Sequence, residues 1–321
     1  MDPQVQSALS SAGLQTYKDL LMVPVTDLMK VTGLSFKQVE QVLTNAASAW
    51  RSPPLTALQM KLSLSVHCLS LGCPLMDELL KGGLPVGGVT ELYGQSGAGK
   101  TQIALQLCVS VQYPQDQGGL DSGAVFICTE DSFPVKRLQQ LIGEQHRLRP
   151  QLTALTSQIN FSDNVYIEHA ADLASLRLCL SQRVPLLVAR GLVRLLVLDS
   201  IAALFRSEFQ ASDWMERNKQ LISFSSKIKD LSQQFNLVVL CINQVTDVMD
   251  QSGGSSGPSP SLGLCWSNSV MVRLRLTRLP QWVSEGGQHS ALRRLEVEFS
   301  PHLPPHSLPV AVWRGGVRGL Q

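Results

Sequence analysis

Gly94-Gln95-Ser96-Gly97-Ala98-Gly99-Lys100-Thr101 is the stretch whose reading decides the fold. It is a complete G-x-x-x-x-G-K-T loop, set between an apolar run (Val89, Leu92, Tyr93) and a helix-like segment that begins Ile103-Ala104-Leu105-Gln106-Leu107. Strand, glycine-rich loop and helix in that order make a phosphate cradle. Glycines let consecutive backbone N–H groups curl around phosphate oxygens where any Cβ would obstruct the approach. In this reading residues 94–101 bind the phosphates of a nucleoside triphosphate. Lys100 reaches the β and γ phosphates, and the Thr101 hydroxyl ligates Mg²⁺ at the positive end of a helix dipole. Lys100 is expected to stand exposed to the ligand rather than packed.

Outward from the loop, the pattern alternates short apolar runs with helix-like stretches. Strands are expected near 89–93, 124–128, 165–168, 195–198 and 238–242, which predicts an α/β core with a mostly parallel sheet and helices on both faces. Three of those runs end in groups that suit phosphate chemistry. Leu195-Leu196-Val197-Leu198 ends in Asp199, an acid placed to help hold Mg²⁺. The run from Ala124 continues through Thr129 to Glu130, a candidate base for orienting and deprotonating water. The strand near 238–242 leads to Asn243-Gln244, where a neutral amide can sense the γ phosphate. The catalytic candidates are therefore Glu130, Lys100 and Gln244, and the metal candidates Thr101 and Asp199. Beyond Gln244 a Gly/Ser/Pro-rich segment (251–260) precedes short strands near 270–276, 292–299 and 310–313, read as an antiparallel extension of the sheet.

The first 50 residues show helical spacing broken by turns: Val5, Leu9 and Leu14; Leu20, Leu21 and Leu28; Val39, Val42 and Leu43. They predict a small helical domain in which Thr32-Gly33-Leu34-Ser35 turns one helix into the next, as in a helix–hairpin–helix. A packing module is favoured over a DNA contact there, since Lys18, Lys30 and Lys37 are offset by Asp19, Asp27 and Glu40. Arg51-Ser52-Pro53-Pro54 opens a linker over 51–66, and the core follows over 67–321. Two readings stand for Leu55-Thr56-Ala57-Leu58 in that linker: packing on its own core, or adding as a strand to a neighbouring subunit.

With 27 Lys+Arg against 25 Asp+Glu, a net charge of +2 leaves any DNA contact to local patches. Seven cysteines without a C-x-x-C pair read as reduced, buried residues rather than zinc ligands. The polar start Met1-Asp2-Pro3-Gln4 and the absence of any long apolar run predict a soluble intracellular protein with no membrane segment. No strong Lys/Arg import signal is present.

The ordered set Lys100/Thr101, Glu130, Asp199 and Gln244 resembles the RecA-type recombinase fold, and the flanking words are similar to its eukaryotic branch. Those words are Thr129-Glu130-Asp131-Ser132-Phe133-Pro134 with Arg137-Leu138, the run from Leu198 to Arg206, and Ile242-Asn243-Gln244-Val245. Ser300-Pro301-His302-Leu303-Pro304-Pro305 resembles the segment that caps the ATP of an adjacent subunit. The likeness covers essentially the whole chain and is strongest to the recombinase paralogues. It implies an ATP- and Mg²⁺-binding subunit, at most a slow ATPase, that forms a heterodimer with another paralogue, the C-lettered one. It further implies action on recombinase filaments and DNA junctions during homologous-recombination repair, in the nucleus with the cytoplasm left open.

The departures bear on function. No Lys or Arg occurs between Lys229 and Arg273, which spans the loop after Gln244, and the loop near 207–217 carries Glu208, Asp213 and Glu216. Loops without cations release no counterions from DNA, so weak DNA binding by the isolated chain is expected. Asn268 stands where the family pattern places a phosphate-sensing His. These differences disfavour the alternative, a strand-exchange recombinase with its own filament. Arg273, Arg275, Arg278, Arg293 and Arg294 are expected on solvated faces of the late strands.

Overall fold

A computed structural model describes residues 3–14, 16–50, 56–59, 68–249 and 255–321. The chain forms two units, Met1–Ser65 and Val66–Gln321. Over its first 50 residues the first unit holds the helices α1 (Pro3–Ser11), α2 (Tyr17–Met22), α3 (Val25–Thr32) and α4 (Phe36–Trp50) among the described residues. Val5, Leu9, Leu20, Leu28, Val39, Val42 and Ala46 pack as one core, while Leu21 turns out to solvent. The helix ends follow from the sequence. The Thr16 hydroxyl accepts from Asp19 N at 3.1 Å and the Asp19 carboxylate accepts from Thr16 N at 3.0 Å, a reciprocal cap. Gly33 closes α3 at φ 69°, a left-handed turn that glycine adopts without steric cost, and its N–H donates to Met29 O.

Most of the linker, Leu55 included, lies outside the described residues. Residues 57–59 form a helical turn in the chain by itself. Thr56 and Gln59 make the same reciprocal cap, Gln59 N donating to Thr56 Oγ1 at 3.2 Å and Thr56 N to Gln59 Oε1 at 2.8 Å.

The second unit is built on a nine-stranded sheet. Its strands are β1 (Val89–Tyr93), β2 (Gly123–Cys128), β3 (Val165–His169), β4 (Val193–Asp199) and β5 (Val238–Asn243), then β8 (Val272–Glu285), β9 (Gln288–Phe299), β10 (Ser307–Trp313) and β11 (Gly316–Gly319). The order is β11-β10-β9-β8-β1-β5-β4-β2-β3, parallel from β8 to β3 and antiparallel from β8 to β11. β6 (Val245–Met249) and β7 (Ser255–Pro260) pair as a separate antiparallel hairpin whose second strand falls in the Gly/Ser/Pro-rich segment. The late strands are longer than their apolar runs, because antiparallel pairing carries β8 and β9 past the core into a solvent-exposed hairpin.

The central strands are largely apolar because both faces are covered, with Thr90 and Glu91 of β1 as buried polar exceptions. Ala124, Phe126, Cys128, Leu195, Val197, Leu240 and Ile242 enter one core with α5 (Lys100–Ser110). Val125, Ile127, Leu196, Leu198, Val239 and Cys241 enter the other with α6 (Ile201–Ser207) and α7 (Trp214–Phe235). The parallel strands therefore release their carboxyl ends along one edge, where ligands bind in open α/β sheets. All seven cysteines are unpaired, and burial pushes the Cys108 and Cys241 thiols well up. No helix among the described residues is long and apolar enough to cross a membrane.

Candidate nucleotide site

Gly94 follows β1 and begins the loop, and its backbone passes so close to β8 that a Cβ would lie 2.1 Å from Leu276 O. Gly94→Ala is expected to destabilise the core by about 3 kcal/mol, because the obstruction is backbone and cannot turn aside. Thermal unfolding checks this. Gly97 and Gly99 take φ 71° and 107°, and Gly99 leads into α5. The loop thus points the start of α5 into a cavity of about 1180 Å³ lined by Lys100, Thr101, Glu130, Asp199 and Gln244. The five side chains singled out in the sequence share one cavity.

Lys100 corrects the expectation of an exposed ammonium. It is 9% exposed, and its Nζ folds back to donate to Gly94 O at 2.7 Å and Gln95 O at 3.0 Å. Burial holds its pKa below the usual lysine value, with Asp199 and Glu130 pulling the other way. Asp199 accepts from the Thr101 hydroxyl at 2.7 Å; burial raises its pKa, against the hydrogen bond from Thr101 and the charge of Lys100. The all-oxygen donor set of Thr101 Oγ1 and Asp199 Oδ2 suits a hard cation such as Mg²⁺. Glu130 accepts from Gln244 Nε2 at 3.0 and 2.8 Å, one bond to each carboxylate oxygen, and from Ser200 Oγ at 2.9 Å. The Gln244 amide and the Glu130 carboxylate therefore touch.

The sequence reading missed several walls of the cavity. Arg293 of β9 is half-buried beside the loop, its Nε donating to Ala98 O at 2.6 Å. Arg137 donates to Gln102 Oε1 at 2.6 Å and, at 2.8 Å each, to Trp313 O and Arg314 O. Arg206, Gln288 and His289 line the same space. Arg273 is not solvated either. It pairs at 2.6 Å with Glu91, which is fully buried on β1. A lone arginine in a strand pattern does not say which face it takes, so no local signal separated these residues from Arg278 and Arg294, which are exposed. Asn268 follows α8 (Gly263–Ser267), exposed and outside the cavity lining. Pro301, Pro304 and Pro305 are exposed between β9 and β10, held by buried Leu303, and also lie outside the lining. The stretch near 207–217 is short, because only three residues separate α6 from the 3₁₀ turn Ala211–Asp213 and α7 begins directly after it.

Comparison with known proteins shows the family of the chain. The family model described as Rad51 matches residues 63–319. The chain belongs to the Rad51 family. Residues 1–50 match an XRCC3/RpoA-like helix-hairpin-helix domain. The chain is 44% identical to DNA repair protein XRCC3 of Mus musculus and 42% identical to that of Bos taurus, in both cases over all of this chain and 96% of the relative. It is 31% identical to DNA repair protein RAD51 homolog 2 of Homo sapiens over 84% of this chain and 77% of the relative. It is thus an XRCC3-like paralogue of the Rad51 family, with the RecA-like core and helical N-terminal domain read from the sequence.

Proposed function

We propose that this Rad51-family chain is an ATP-binding paralogue subunit in homologous-recombination repair of DNA, working in a heteromeric complex in the nucleus. The observation that carries this reading is a whole triphosphate site beside a hairpin without cations. Thr101–Asp199 suits Mg²⁺ and Glu130–Gln244 suits the γ-phosphate end, whereas no Lys or Arg occurs between Lys229 and Arg273. Magnesium, when bound, neutralises phosphate charge. The chain's own part is to hold the phosphates on the loop amides and Lys100 and to present Glu130 toward attacking water. Hydrolysis by this subunit is slow and responds to its neighbour.

Repair relatives named XRCC3 and RAD51 homolog 2 support another recombinase paralogue as partner, with DNA engaged more strongly by the complex than by this chain. Light scattering with ATP and Mg²⁺, alone and with a recombinase paralogue, tests the reading. A discrete small complex formed only with the partner is expected. Open-ended filaments of this chain alone on DNA would establish the strand-exchange alternative instead.

A further inference from the structure

Glu91 is fully buried in the central strand β1, three residues before the phosphate loop, and every bond it makes leads away from the loop. Its Oε1 accepts from Asn243 Nδ2 at 2.6 Å and from Trp266 Nε1 at 2.7 Å, and its Oε2 accepts from Arg273 Nε at 2.6 Å. Arg273 continues to Ser267 Oγ at 2.8 Å. One carboxylate thus ties together β1, the end of β5, α8 and β8. Asn243 and Trp266 are themselves without exposure.

The consequence lies on the other side of Asn243. With its NH₂ committed to Glu91, the Asn243 carbonyl faces the opposite way, where it accepts from Gln244 N at 2.7 Å and from Ser261 Oγ at 2.8 Å. Ser261 also closes on Gln244 O, through its N at 3.1 Å and its Oγ at 3.0 Å. Residues 244 and 261 are the two ends of the β6–β7 hairpin, and Gln244 is the residue whose amide spans both oxygens of Glu130. A neutral Asn alone turns its amide either way; a buried carboxylate on one side allows a single orientation.

We propose that Glu91 is a positioning residue for the nucleotide site: through Asn243 it holds Gln244 against Glu130 and joins both ends of the β6–β7 hairpin. This role rests on the reading of the cavity as a triphosphate site. Breaking the link lets the Gln244 amide leave the γ-phosphate end while the loop and Lys100 stay in place. The discrimination lost is therefore that between triphosphate and diphosphate, not nucleotide binding as such.

The test uses the full chain and calorimetric affinities for ATP and ADP with Mg²⁺. Glu91→Leu/Arg273→Leu removes the acceptor without leaving a buried unpaired charge, a replacement that buried ion pairs often tolerate. Its preference for ATP over ADP is expected to fall about tenfold, with ADP affinity unchanged. Glu91→Gln/Arg273→Leu keeps an oxygen for Asn243 and Trp266 and is expected to retain the preference. Asn243→Ala, which leaves the Glu91–Arg273 pair whole, is expected to lose it to the same degree. It carries the test if the double variant does not fold. Combining Asn243→Ala with Glu91→Leu/Arg273→Leu costs no more than either alone, because both cut one path. An unchanged ATP/ADP ratio in folded variants, or additive losses, overturns the role of Glu91. Wild-type chain that binds neither nucleotide overturns the nucleotide reading itself, and equal wild-type affinities for the two overturn this role alone.

Discussion

Lys100→Ala is expected to weaken ATP binding more than about a hundredfold, the loss that follows from removing a cation bonded directly to phosphate oxygens in a partly desolvated site. The fold should survive. The Nζ now makes two bonds to loop carbonyls, Gly94 O and Gln95 O, and each neutral partner left behind costs only about 1 kcal/mol. Taking a buried ammonium out of the site offsets part of that cost. Titration with a fluorescent ATP analogue, beside thermal unfolding of the same preparation, separates the two effects. Undiminished affinity would mean that residues 94–101 do not hold the phosphates. With two of its three N–H donors on the loop carbonyls, the Lys100 ammonium keeps the third for a phosphate oxygen.

The second large effect belongs to Glu130. Glu130→Gln keeps the shape of the side chain and an oxygen for Ser200 and Gln244 to bond, but it removes the only proton-accepting group of this position. ATP turnover by the paralogue complex is expected to drop on the order of a hundredfold, while ATP affinity stays within about threefold. Single-turnover hydrolysis of radiolabelled ATP measures the first and equilibrium titration the second. Equal turnover by variant and wild type would reassign the base to another residue of the cavity. Asp131 is then the first to examine, since it lines the same space.

The legibility of this site in the sequence was uneven for physical reasons. Lys100, Thr101, Glu130, Asp199 and Gln244 stood out because each sits within a few residues of a strand's carboxyl end or in a fixed-spacing loop. In a parallel sheet those ends share one edge, so sequence position translates into spatial position without knowledge of packing. Arg293 and Arg137 did not stand out. The first reaches the loop because antiparallel pairing through β8 brings β9 alongside it, and the second because it bonds the carbonyls of Trp313 and Arg314, more than 170 residues later. The burial of Lys100 was equally invisible, since its partners are backbone carbonyls that every residue possesses.

By itself, then, the sequence determined the family, the nucleotide loop with Lys100 and Thr101, the three groups at the strand ends, the helical N-terminal domain and the loss of cations after Lys229. These are consequences of local geometry and of spacing along one chain. Tertiary structure alone decided which arginines are solvated and which are structural, and that Gln244 meets Glu130 rather than facing solvent. It also placed Glu91 beneath Asn243. Strand register and the burial of one carboxylate with three donors depend on segments far apart in the chain, and no periodicity within a single segment records them.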